Sequence, residues 1–278
     1  MDDRAPDGLR LAGVGVWLVP PGPDERSDDA FDRVLDRASA AAVAVEDSGA
    51  GSLWVSESTA GVSAVAPYEA YSLLGALAVR TGRVHLGVVA DGVERRAPSI
   101  LAKVVTGVDV ISHGRAILSL DADCAGGDDG ERIDEALTVV RAVLEDEHPT
   151  YAGRIYTIDS AVNRPAPVQP GGIPIVVFVH GSGPDRRALL DVVARAADVV
   201  AVDGGAVGVG EAVTAAEERR RSGAAQREPV EVLGLVPPGS ADVFAAVAEL
   251  RLAGATGCLV GLAWPWEPSN AAGLQSAW

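Results

Sequence analysis

Residues 173–187 read IPIVVFVHGSGPDRR, and this stretch decides the fold. Ile173–Val179 is an almost unbroken apolar, β-branched run, the form expected of a parallel strand covered on both faces. At His180 the composition flips to Gly181-Ser182-Gly183-Pro184, and a helical stripe follows through Leu189, Leu190, Val193 and Ala196. Strand, polar turn and helix make one βα unit.

The same unit recurs on both sides. Upstream, Leu11–Val19, Leu53–Val55, Val84–Val89 and Ala116–Leu120 read as strands, each leading into a segment of helical periodicity. Downstream, Asp198–Val202, Val230–Val236 and Cys258–Leu262 repeat the pattern, with helices predicted over Val207–Arg221 and Ala241–Ala253. Eight such units in 278 residues, roughly 35 residues each, predict an α/β fold of the (β/α)8 TIM-barrel type. The expectation is one barrel domain over 1–278, with a truncated eighth helix, since about a dozen residues follow Trp266. A long connection at 145–172 precedes the fifth strand and carries a small β excursion around Gly153–Ile158. An open doubly wound sheet competes, but Val19-Pro20-Pro21-Gly22-Pro23 after the first strand is not the Gly-rich fingerprint of that class.

Charge narrows the function. Acidic residues number 39 against 23 basic ones, for a formal charge of −16. That balance excludes nonspecific binding to nucleic acid or to an anionic membrane, which needs clustered Lys and Arg. Two cysteines, Cys124 and Cys258, imply no disulfide framework. Met1-Asp2-Asp3-Arg4 lacks the basic and then apolar run of a signal peptide, so the cytoplasm is the expected compartment. Lys103 is the sole lysine among many arginines, alanines and glycines, the mark of a GC-rich genome.

In a barrel, chemistry sits where strands end. That rule selects Trp17, Ser56, Glu57, Ser58, Ala90, Asp91, Asp121, Asp123, Cys124, His180–Gly183, Asp203–Gly205, Trp264 and Trp266. Of the histidines, His180 alone falls at the C-terminal end of a strand. The turn after it reads either as a phosphate cradle, with Arg186 and Arg187 adding positive charge, or as an ordinary turn capped by Ser or Asp. Asp121 and Asp123 share one face of their strand. They lack the further ligands a metal needs, so no metal is expected. Glu57 reads as a general acid or a solvated rim carboxylate, and Cys124 as a rim or buried thiol. The Trp264-Pro265-Trp266 segment either closes a pocket or packs under the shortened terminus.

Several stretches resemble the luciferase-like monooxygenase superfamily, the bacterial-luciferase-type barrels that use FMN or the deazaflavin coenzyme F420. They are SLWVSE at 52–57, ALAVRTGRVHLG at 76–87, RAPSILAK at 96–103, DVISHGR at 109–115, RIDEAL at 132–137, YAGRIY at 151–156 and PAPVQP at 165–170, ending in the His180–Pro184 turn. The resemblance implies a barrel whose Gly181, Ser182 and Gly183 hold a cofactor phosphate. It departs from the family twice. Ser58 stands where a histidine is usual, and Asp121-Ala122-Asp123-Cys124 replaces Gly-x-Gly followed by Trp or Glu.

The reading that follows is an oxidoreductase transferring a hydride between F420, or FMN, and a small organic substrate. Its proton donor would be Glu57, Asp123 or His180, and Ser58, Asp121, Cys124, Gly181, Ser182, Gly183 and Arg186 would surround the cofactor. The GC-rich composition favours F420. Family habit implies a homodimer. The alternative is a degenerate barrel that has given up redox catalysis and serves as a binding or partner subunit.

Overall fold

The computed structural model describes residues 11, 13–20, 33–56, 68–89, 96–123, 129–182, 185–222 and 230–278. Eight parallel strands form one sheet: β1 (Gly13–Leu18), β2 (Ser52–Ser56), β3 (His85–Val89), β4 (Leu118–Asp123), β5 (Ile175–His180), β6 (Val199–Val202), β7 (Glu231–Val236) and β8 (Gly257–Leu262). The helices between them are α1 (Val34–Asp47), α2 (Ala70–Ala78), α3 (Pro98–Ser112), α4 (Asp129–Glu145), α5 (Asp185–Ala196), α6 (Gly205–Arg221) and α7 (Val243–Leu252). The order β3-β2-β1-β8-β7-β6-β5-β4 is that of a barrel cut between β3 and β4. Across that cut, the described pairing is one parallel bridge, Leu86 to Ala116, and the Ser119 hydroxyl donates to the Val88 carbonyl. The barrel is nearly closed, with a seam.

Period-2 alternation assigns the two faces. Val14, Val16 and Leu18 of β1 point outward into the apolar layer shared with the helices, while Trp17 belongs to the interior cluster with Trp54, Ile117, Val176, Phe178, Leu233 and Leu259. Trp54 is fully buried at the centre and meets Phe178 edge-on at 5.6 Å. Glycines on the neighbouring strands make the room. A Cβ on Gly87 would lie 2.4 Å from the Trp54 ring, and one on Gly15 would lie 2.3 Å from the Ser52 hydroxyl, which itself accepts from the Trp54 indole N–H.

Three of the family-like stretches, 76–87, 109–115 and 165–170, prove to be joints at the opposite, N-terminal end of the barrel. The buried Arg115 guanidinium donates to the carbonyls of Ala78, Thr81, Val84 and Ser112 and to the Thr81 hydroxyl. It thereby ties the ends of α2 and α3 to the start of β3. Glu46 accepts from the backbone N–H groups of Gly82, Arg83 and Val84. Burial raises its carboxyl pKa, but those three bonds and Arg83 outweigh it and hold the group below its usual value. Asp109 accepts from the backbone of Val168 and the side chain of Gln169, fixing the end of the long connection.

The β excursion is a hairpin with arms Tyr151–Ala152 and Thr157–Ile158, and Glu135 accepts from three of its backbone N–H groups. Two elements differ from the sequence reading. β4 runs on to Asp123 because it keeps its ladder with β5 through Asp121, Ala122 and Asp123. The eighth helix is replaced by two 3₁₀ turns, Pro268–Ala271 and Leu274–Ala277. Among the described residues no helix is long and apolar enough to cross a membrane.

Candidate active site at the strand ends

A pocket of about 710 Å³ opens at the C-terminal ends of β1 and β5–β8. Trp17, Val19 and Pro20 form one wall, Leu235–Pro238 and Trp264 another, and the start of α6 with Leu250 and Glu249 of α7 the remainder. His180 and Asp203 bring the polar chemistry. The lining is otherwise mostly apolar, the form of a site for a flat organic molecule of cofactor size.

The barrel core positions His180. Its ring stacks on Phe178, centroids 6.1 Å apart and planes within 7°, so a column of Trp54, Phe178 and His180 rises along the interior to the mouth. The imidazole stands between two carboxylates: Nε2 is 3.4 Å from Asp121 Oδ1, and Nδ1 is 3.6 Å from Asp203 Oδ2. β4 and β5 set Asp123 in register with His180.

Asp203 is the centre of a second set of contacts. Its carboxylate accepts from the Gly181 backbone N–H at 3.1 Å and from Arg186 Nη1 at 2.9 Å, and its carbonyl accepts from Arg186 Nη2. Arg186 is 5 % exposed, and its remaining donors reach the Gly181 carbonyl and Glu211. Partial burial pushes the Asp203 carboxyl up. The contacts with His180, Gly181 and Arg186 more than reverse this and bring it down to about 2. The glycines of this corner are structural requirements. Gly181 and Gly204 hold φ values of 81° and 84°, and a Cβ on Gly208 would lie 1.9 Å from the Asp203 carbonyl oxygen.

Of the residues the sequence nominated, His180, Asp121, Gly181 and Arg186 come together with Asp203, which the strand-end rule had selected without a role. Ser182 is exposed. Glu57, Ser58, Cys124 and Gly183 lie outside the described residues. The two tryptophans of the Trp264-Pro265-Trp266 segment divide the expected roles. Trp264 lines the pocket, while Trp266 is buried, meets Trp264 edge-on at 4.7 Å and donates to the Val19 carbonyl. Sequence reasoning missed Glu211 and the Pro237-Pro238 wall; neither carries a motif. Trp17, selected by the strand-end rule without a role, lines the pocket and has a buried indole N–H with no acceptor among the described residues. No group of three or more potential metal-ligating side chains occurs among the described residues.

A nearly closed (β/α)8 barrel with a mostly apolar pocket at its strand ends defines the broad class. The chain belongs to the luciferase-like monooxygenase family, whose model matches residues 13–251. Solved structures share the fold at low identity. An F420-dependent secondary alcohol dehydrogenase is 15% identical with a TM-score of 0.72, covering 94% of this chain and 96% of its own. The coenzyme F420-dependent tetrahydromethanopterin reductase from Methanopyrus kandleri is 18% identical with a TM-score of 0.71, over 95% and 96%. The monooxygenase RslO1 from Streptomyces bottropensis is 21% identical with a TM-score of 0.70, over 95% and 97%.

Among the described residues, those that fit such cofactors are at the ring end. Apolar walls and two tryptophans suit a flat ring. At the described part of the Gly181 turn, the Gly181 N–H is taken by Asp203, and Arg186 binds Asp203, Glu211 and the Gly181 carbonyl, so neither is free to take a phosphate as the turn stands.

Proposed function

We propose that the protein is an oxidoreductase whose pocket binds the ring of F420 or, second, of FMN against a small organic substrate. The carrying observation is the placement of His180: a stacked, carboxylate-flanked imidazole at the mouth of a cofactor-sized apolar pocket. When bound, the cofactor would supply the hydride chemistry. The chain's own contribution is positioning and proton handling. Phe178 fixes the plane of the imidazole, and Asp121 and Asp203 flank its two nitrogens, so a proton taken up at either nitrogen faces a negative charge. The apolar walls give a ligand ring its contact surface, and the Trp17 N–H, which has no acceptor among the described residues, is a donor for a ligand carbonyl.

The test is titration of the purified protein with F420 and with FMN, followed by cofactor fluorescence. Saturable binding in the tens of micromolar, weakened by Trp264→Ala, is expected; no binding of either cofactor in that range overturns the reading.

A second reading, a barrel that binds a ligand without redox turnover, is favoured by the carboxylate in the Gly181 turn. It predicts that a cofactor-free preparation retains the protein's full ligand affinity.

A further inference from the structure

The Gly181 turn converges three groups on one point: a backbone N–H, a buried guanidinium and an imidazole. Such a convergence is the usual apparatus for holding an oxyanion. Here the point is taken by the side chain of Asp203, with Gly181 N–H on Oδ2 at 3.1 Å and Arg186 Nη1 on Oδ1 at 2.9 Å. We infer that Asp203 is a resident anion, an intramolecular occupant of the family's phosphate turn that competes with any phosphate-bearing ligand for Gly181 and Arg186.

Charge counting supports the competition. Arg186 carries one positive charge and already faces two carboxylates, Asp203 and Glu211, while Asp121 adds a third negative group beside His180. A phosphate entering this corner meets three carboxylates, a Gly181 N–H already given to Asp203, and an Arg186 whose three nitrogens all donate within the chain. Geometry makes the arrangement a built one. Arg186 is buried beneath the turn, its Nη2 is held by the Asp203 carbonyl, and Gly208 leaves that carbonyl the space it needs. Removing the Asp203 carboxylate leaves Arg186 with the Glu211 carboxylate and frees the Gly181 N–H. An external oxyanion can then take both Gly181 and the released Arg186 nitrogen.

The inference deepens the cofactor reading and shares its pocket, so the probes separate the two. Riboflavin carries the FMN ring without its phosphate; inorganic phosphate carries the anion without the ring. In the unaltered protein, riboflavin and FMN should bind with equal affinity, and phosphate should leave the Gly181 and Arg186 backbone amide NMR signals unmoved. In Asp203→Ala and Asp203→Ser, FMN should gain about tenfold over riboflavin. Phosphate should then shift those amides saturably and raise the melting temperature of the variants alone. Asp203→Ser, whose side chain is too short to fill the carboxylate position, carries the test should the alanine variant not fold. Two results overturn the inference: an unaltered protein that already binds phosphate through Gly181, or folded variants that gain no phosphate response. Failure of both flavins to bind any form sinks the cofactor reading instead, and the phosphate arm still decides the role of Asp203.

Discussion

Gly87 faces the indole of Trp54 so closely that a single methyl group on Gly87 would lie 2.4 Å from Cε3 and 2.5 Å from Cζ3. The ring is fully buried and pinned through its N–H to the Ser52 hydroxyl, so it has nowhere to retreat. Gly87→Ala is therefore expected to cost about 1–3 kcal/mol by overpacking. Trp54→Phe should relieve part of that cost, making the double variant more stable than the sum of the two singles predicts. Urea unfolding of the four proteins checks it; strict additivity would show that the contact is not the cause.

Arg115 spends its fork on five acceptors at the foot of the barrel. A lysine keeps the charge but has no planar fork, so Arg115→Lys should lose about 2 kcal/mol or more. The loss should appear in denaturant midpoint while pocket ligands bind as before, because Arg115 lies at the end away from the pocket.

Asp203 gives the stability an acid limb. Its folded pKa, about 2, lies below the ordinary aspartate value. The group therefore contributes stability that is fully present above the unfolded pKa, about 4, and is lost as pH falls towards 2. Asp203→Asn should show a shallower fall in stability between about pH 4 and pH 2 than the unaltered protein. Parallel curves in that window would remove Asp203 from the acid response.

Trp17→Phe keeps an aromatic wall and deletes the buried N–H that has no partner among the described residues. A ligand that supplies an acceptor to this group should bind the variant about fivefold to tenfold more weakly, while His180→Gln should lower turnover more than it lowers affinity. Isothermal titration and single-turnover kinetics separate the two effects. An affinity unchanged by Trp17→Phe would show that the indole donor meets nothing in the pocket.

The barrel was legible because buried parallel strands leave a mark at every repeat, as in Ile173–Val179, and because local chemistry stops them. His180 was legible for the same reason: one polar residue at the end of an apolar run. Arg186 was not. Sequence shows a positive charge beside a glycine turn, and burial decides whether that charge faces a ligand or the chain. Its partners lie 17 and 25 residues away, on the next strand end and the next helix. Tertiary packing alone brings Asp203 and Glu211 onto it. Conversely, Gly82–Val84 and Asp109–Arg115 stood out as family text, and they turn out to be joints far from the pocket, kept by hydrogen-bonding need.

The lock formed by Gly181, Asp203 and Arg186 also has a genetic reading. An aspartate codon reaches asparagine, glycine or alanine by one base change, and each of those residues withdraws the carboxylate while Glu211 keeps Arg186 company. If Asp203 is the resident anion inferred above, this barrel stands one nucleotide from a phosphate-accepting mouth, with the strand, the turn and the helix behind it left as they are.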